Sequence, residues 1–172
     1  MNRVIAVIPA RMGSSRFPGK PLAPLLGMPM VEHVYHRTAA SPIVSEVIVA
    51  TCDEEIKREV ERFGGRAVMT SPEHERASDR VAEAVRNEPA DIVVMVQGDE
   101  PMTRPEMITD AVTPMLSDPG IDCVNLVAQI PTEAEVLDRN TIKVVVDRAG
   151  NALFFSREPI PTLSNQTFTL GS

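Results

Sequence analysis

Tryptophan is missing from this 172-residue chain, tyrosine occurs once, and aromatic residues as a whole make up 3%. Proteins that grip single-stranded nucleic acid stack its bases on such rings, so that class of partner has little to bind here. Cysteine is nearly as scarce. Cys52 and Cys123 form no C-x-x-C pair and stand at the ends of apolar runs, which excludes a zinc ribbon and a secreted disulfide scaffold and leaves both thiols expected reduced and buried. The three histidines, His33, His36 and His74, read as helix-surface or loop residues, not as catalysts. No run approaches the roughly 18 consecutive apolar residues that a membrane-spanning helix requires. Met1 to Ala10 lacks the charged leader and cleavable apolar stretch of a secretion signal. A soluble, cytoplasmic chain without a membrane partner is the expectation.

The most informative absence is of acid at the start. Residues 1–31 hold Arg3, Arg11, Arg16 and Lys20 and no carboxylate before Glu32, a charge of +4. The other 141 residues hold 13 bases against 24 acids and carry −11, within a chain of net −7. A basic island in an acidic body is too narrow for a duplex or single-strand footprint, which needs a broad positive surface. A small polyanion such as a nucleoside triphosphate suits it; the competing reading is solvated surface charge that happens to cluster.

What is present is an alternation of short apolar runs with helical stretches. Val4-Ile-Ala-Val-Ile8 is a β-branched run of the kind buried on both faces of a parallel sheet. A Gly/Pro/Ser-rich loop follows through Gly19 and Pro21, then a helix from near Pro29 to about Ala40. The cycle repeats with a strand at 47–50, a helix at 54–63 capped by Asp53 and stopped by Gly64-Gly65, a strand at 67–69 and a helix at about 78–87. The clearest strand is 92–96, and a helix over 105–116 follows it. Strands are also expected at 123–128 and 142–146, and Asp147-Arg-Ala-Gly-Asn151 turns straight into 153–155 as an antiparallel hairpin. The pattern predicts an α/β, doubly wound, mostly parallel sheet, mixed at one edge. Residues 1–161 read as one domain and 162–172 as a polar tail.

Two motifs stand where such sheets bind ligands, at the carboxyl ends of strands. Ile8-Pro-Ala-Arg-Met-Gly-Ser-Ser-Arg-Phe-Pro-Gly-Lys-Pro-Leu22 follows the first strand. It is neither a Walker loop, since Gly13 and Gly19 are one residue too far apart and Pro follows Lys20, nor a G-x-G-x-x-G. Its cations would neutralise a triphosphate and the charge developing on departing pyrophosphate; the plainer alternative is a structural turn. Met95-Val-Gln-Gly-Asp-Glu-Pro101 ends the 92–96 strand, where Asp99 could ligate a hard cation such as Mg²⁺ together with substrate phosphates, or could simply cap a turn.

These blocks, with Ile48-Val-Ala-Thr51, Ile142-Lys-Val-Val-Val-Asp147 and Ala152-Leu-Phe-Phe-Ser-Arg157 followed by Pro159-Ile-Pro161, resemble the nucleotide-sugar cytidylyltransferases. Within that family they are most similar to the branch acting on 3-deoxy-manno-octulosonate (KDO), and less so to the sialic acid branch. The resemblance implies a Rossmann-like nucleotidyltransferase domain over 1–161 and a Mg²⁺-dependent transfer of CMP from CTP to a 3-deoxy-2-keto sugar acid, with release of pyrophosphate, in lipopolysaccharide precursor synthesis. By position it implies Arg11 and Lys20 as catalytic clamps on the triphosphate. Ala10, Arg16, Arg80 and Gln97 would join them in holding nucleotide, Gln97 and Arg157 would hold the sugar, and Asp99 would bind the metal. No covalent intermediate is needed, so the reaction asks for positioning and charge neutralisation alone. Alternatives are a cytidylyltransferase for another acidic sugar and an inactive nucleotide-binding module. Two departures from the family pattern stand out: Arg76-Ala-Ser-Asp-Arg80 where a Ser-Gly-Thr-type stretch is usual, and Ala50-Thr51-Cys52 with Asp53 one place late. The family also continues past the position of Ser172 with a sugar-binding and dimer-forming segment and a second metal-binding Asp, so a homodimer and that second ligand stay open.

Overall fold

Strand β1 (Val4–Ala10) is the axis of the fold, with every side chain from Val4 to Ile8 at most 1% exposed. The computed structural model describes residues 2–13 and 17–160, which fall into two compact units, Met1–Asn125 and Leu126–Ser172. In the first, a 3₁₀ turn (Lys20–Leu22) and a small antiparallel hairpin, β2 (Pro24–Leu25) with β3 (Met28–Pro29), lead into helix α1 (Met30–Ala39). Then come β4 (Glu46–Thr51), α2 (Glu54–Arg62), β5 (Arg66–Met69), α3 (Ala77–Val85), β6 (Ile92–Met95) and α4 (Pro105–Ser117).

The main sheet is parallel and runs β5-β4-β1-β6. The alternation of β1 sorts its core by face. Val4, Ala6 and Ile8 pack with Val31 and Val34 of α1, Ile56 and Val60 of α2, and Ile108 and Val112 of α4. Ile5 and Val7 pack with Val81 and Ala84 of α3. Helices on both faces account for the continuous β-branched runs in β1 and β4, since neither face of these strands meets water. The strand order reverses between β1 and β6, so a crevice opens outside their carboxyl ends.

Several elements differ from the sequence expectation. The 20–29 stretch holds the 3₁₀ turn and the β2–β3 hairpin, not only loop. Residues 123–128 form no strand: they have no ladder partner among the described residues, and Leu126 and Val127 are 52% and 60% exposed. Cys123 is exposed and Cys52 half-buried, so both thiols are free and, contrary to expectation, neither is buried. Among the described residues no helix is long and apolar enough to cross a membrane.

The second unit holds α5 (Glu133–Leu137) and the antiparallel hairpin β7 (Lys143–Val146) and β8 (Ala152–Ser156), a two-stranded sheet of its own. The turn between the strands is set by Asp147, whose carboxylate accepts the backbone N–H groups of Ala149 and Asn151 at 2.9 and 2.8 Å. The Asn151 side-chain amide, foremost, and these backbone bonds hold the Asp147 pKa below the ordinary aspartate value. Lys143 is 5% exposed, yet its Nζ donates to the carbonyls of Asp138, Thr141 and Arg157 at 2.5, 2.9 and 3.0 Å, so the buried ammonium is satisfied. The expected tail, 162–172, lies outside the described residues.

Candidate functional site

The chain leaves β1 at Ala10, and Arg11 stands at once on the lip of the crevice. Met12 and Gly19 close the loop that follows, through a 3.0 Å bond from the Gly19 N–H to the Met12 carbonyl. Gly19 has φ +74, a left-handed conformation that suits glycine and turns the chain so that Lys20 faces back across the opening. On the β6 side, Gly98 is required by close approach: a Cβ there would lie 2.6 Å from the Pro9 carbonyl oxygen. That contact brings Gln97 and Asp99 beside the end of β1.

The result is a cleft of about 370 Å³ whose walls include Ala10, Arg11, Lys20, Arg80, Gln97 and Asp99. Lys20 Nζ donates to Asp99 Oδ2 at 2.8 Å, linking the basic loop to the β6 end across the opening. Both side chains keep water contact, at 33% and 55% exposure, so the pair itself adds about 0–1 kcal/mol to stability. Of the other sequence-derived candidates, Arg16 is outside the described residues, and Arg157 belongs to the second unit, where its Nη1 donates to the Arg139 carbonyl at 3.1 Å.

Arg80 is the most constrained cation. It rises from α3, is 3% exposed, and gives one arm, Nη1, to Thr70 Oγ1. Its other arm, Nη2, is buried with no hydrogen-bond partner among the described residues. A desolvated guanidinium nitrogen without an acceptor costs stability, so an unpartnered arm on a residue that lines a cleft points to a ligand acceptor.

The loop between β5 and α3 forms the remaining wall and was not singled out whole by sequence. His74, Glu75 and Arg76 line the cleft from it, and Ala77 from the first turn of α3. Glu83 of α3 anchors the loop by accepting the Ser71 N–H at 2.9 Å and pairing with His74 Nε2. These bonds, the Ser71 one foremost, keep the Glu83 carboxyl below its ordinary range. His74 is therefore a loop residue as expected, but one on the cleft wall. The lining sets Arg11, Lys20, Arg76 and Arg80 against Glu75 and Asp99.

Asp53 does not cap α2 as its sequence position leads one to expect. It occupies the N-cap position of α2, but its side chain makes no capping bond; Oδ2 instead accepts the Met12 N–H at 2.8 Å. Among the described residues no group of three or more His, Cys, Asp or Glu could by itself hold a metal ion. Asp99 is an exposed hard-oxygen donor on the cleft wall, which fits the mode in which Mg²⁺ takes one or two carboxylates and completes its shell with phosphate oxygens and water.

A parallel sheet with helices on both faces, and a cation-lined cleft at its topological switch point, define a nucleotidyltransferase-like fold. The family model described as cytidylyltransferase matches residues 5–171, and the chain belongs to that family. A 3-deoxy-manno-octulosonate cytidylyltransferase of Geobacter metallireducens is 49% identical over 164 residues, covering 95% of this chain and 65% of its own length. The Escherichia coli protein of that name is 45% identical over 161 residues, covering 94% and 65%. The chain thus spans 65% of the length of these curated relatives. A solved CMP:2-keto-3-deoxy-manno-octonic acid synthetase complexed with CTP superposes with a TM-score of 0.84 at 41% identity, over 95% of this chain and 68% of that one. A cytidylyltransferase from Leptospira borgpetersenii gives 0.61 at 26% identity, over 70% and 51%.

Proposed function

We propose that the cleft binds CTP as its metal complex and that the protein transfers CMP from CTP to KDO, releasing pyrophosphate, in lipopolysaccharide precursor synthesis. The observation that carries this reading is the convergence of Arg11, Lys20, Arg80, Gln97 and Asp99 on one cleft at the β1–β6 switch point. The names of the relatives, and the CTP in the structural neighbour, supply the nucleotide and the sugar acid.

Arg11 and Lys20 flank the closed loop and would hold the β- and γ-phosphates, orienting the α-phosphate towards the acceptor. Arg80 would give its free Nη2 to an acceptor on the nucleotide, and Ala10 and Gln97 would border the nucleoside. Gln97 would also hold the sugar acid. Asp99 would hold Mg²⁺; when bound, the ion supplies charge for the transferring phosphoryl group and the leaving pyrophosphate. The wall cations are partly offset by Glu75 and Asp99, which leaves a fully ionised triphosphate incompletely neutralised and favours a metal complex as substrate. Attack by the sugar oxygen on the α-phosphorus forms the new P–O bond as the bond to pyrophosphate breaks. The loop cations then stabilise the charge on the departing group.

Calorimetric titration with Mg²⁺–CTP tests the binding half of this reading. Saturable binding is expected, weakened at least tenfold in Lys20→Ala and in Arg11→Ala. Equal affinity in all three proteins would remove the basic loop from the site.

A further inference from the structure

A carboxylate outside the lining of the cleft is bonded to the base of its basic loop. Met12 is fixed at both ends: its N–H is taken by Asp53 Oδ2 at 2.8 Å, and its carbonyl accepts the Gly19 N–H at 3.0 Å. Arg11 immediately precedes Met12 and Lys20 immediately follows Gly19, so both clamp residues are one bond away from this pinned pair. Asp53 is itself held, since its N–H donates to Thr51 Oγ1 at 3.1 Å and Thr51 is fully buried at the end of β4. A carboxylate at a helix N-cap normally turns back to the helix amides. Here α2 does without that bond, and the carboxylate spans to a neighbouring strand end 41 residues away in sequence.

We propose that Asp53 is a positioning residue for nucleotide binding: through its charge-assisted bond to Met12 it sets the base of the basic loop and, with it, the spacing of Arg11 and Lys20. This rests on the reading of the cleft as a triphosphate site. The chain of contacts is short, from buried strand β4 through Thr51, Asp53 and Met12 to Gly19. Loss of the tether frees the loop to reorient without touching the sheet. The cost then falls on ligand affinity and not on the fold.

Asp53→Ser separates the two roles, because serine caps a helix well but is too short to span to Met12. Asp53→Asn retains an acceptor without its charge. Amide hydrogen exchange on the nucleotide-free chain reads the tether directly. The Met12 amide should exchange at least tenfold faster in Asp53→Ser and about three- to tenfold faster in Asp53→Asn, as a neutral acceptor holds it less tightly. Titration with Mg²⁺–CTP should show affinity lowered about tenfold in Asp53→Ser and largely rescued in Asp53→Asn, at a thermal midpoint close to wild type. In the Asp53→Ser background, Lys20→Ala should cost less than it does alone, because the two act through one loop. Unchanged Met12 exchange in either variant, or penalties that simply multiply, would overturn the proposal. Failure of the wild-type chain to bind CTP would instead refute the triphosphate reading, while the exchange result still decides whether Asp53 pins the loop.

Discussion

Replacing Asp99 by Asn should change nucleotide affinity in opposite directions with and without metal. In the free protein Lys20 is engaged by Asp99 at 2.8 Å, so an incoming triphosphate must break that pair and then sit beside a carboxylate. Repulsion between a carboxylate and a phosphate charge about 5 Å apart is about 0.8 kcal/mol at the dielectric of water and about 3 kcal/mol at an effective value of 20. Releasing an exposed ion pair adds about 0.2–1 kcal/mol. With side-chain exposures of 33% and 55%, the well-solvated end of that range applies. Asp99→Asn should therefore tighten CTP binding in EDTA by about 1–2 kcal/mol, roughly five- to thirtyfold. In Mg²⁺ the same change removes a ligand and should weaken binding at least tenfold. Lys20→Ala should lose affinity under both conditions. Calorimetry of the three proteins with CTP, in EDTA and in Mg²⁺, reads all of this. Weaker binding of Asp99→Asn in EDTA, or no effect of the metal on the difference, would rule out this competition between Asp99 and the triphosphate for Lys20.

Other consequences follow from particular residues. Leu26 sits at φ 50 beside Gly27 at φ 88 in the two-residue turn of the β2–β3 hairpin, and is 93% exposed; the left-handed pair favours Asn-Gly, so Leu26→Asn should stabilise by about 1 kcal/mol, a rise of about 2–4 °C in thermal midpoint. Arg80→Met keeps the buried stem but removes the buried guanidinium, both its unpartnered arm and its bond to Thr70, whose hydroxyl retains the Thr51 carbonyl; the nucleotide-free midpoint should hold or rise, while the stabilisation conferred by CTP is lost. Glu46 is held below the ordinary glutamate range, chiefly by its bond to Arg66 and also by Arg3. A carboxyl whose folded pKa is depressed contributes stability above its unfolded pKa and loses it as pH falls through the folded value. Urea midpoints should therefore fall on acidification below the usual glutamate range, and Glu46→Gln should flatten that fall; an unchanged slope would count against the ion pair.

The fold was legible wherever burial dominates. The β-branched runs at Val4–Ile8 and Val47–Ala50 announce strands covered on both faces, and the helices between them make the winding order nearly inevitable. The basic loop and Asp99 could be read because charge and glycine placement survive in one dimension. Asp53 could not: its sequence position suits a helix cap, and only the closeness of the β1 and β4 ends shows that its carboxylate goes to Met12. The orphaned arm of Arg80 is likewise a property of three-dimensional burial. Helix α5 carried a readable signal, Thr132 followed by Glu135, and Thr132 does accept the Glu135 N–H at 3.3 Å. The expected strand at 123–128 failed because an apolar run is a strand only when a ladder partner exists.

Pyrophosphate release from the purified chain supplied with CTP, Mg²⁺ and KDO is the decisive assay of cytidylyl transfer. Release should depend on all three, exceed release with a sialic acid in place of KDO, and be abolished in Lys20→Ala. Tight CTP binding with no release on any sugar acid would contradict it and leave a nucleotide-binding module; turnover with a sialic acid but not with KDO would contradict the assigned sugar.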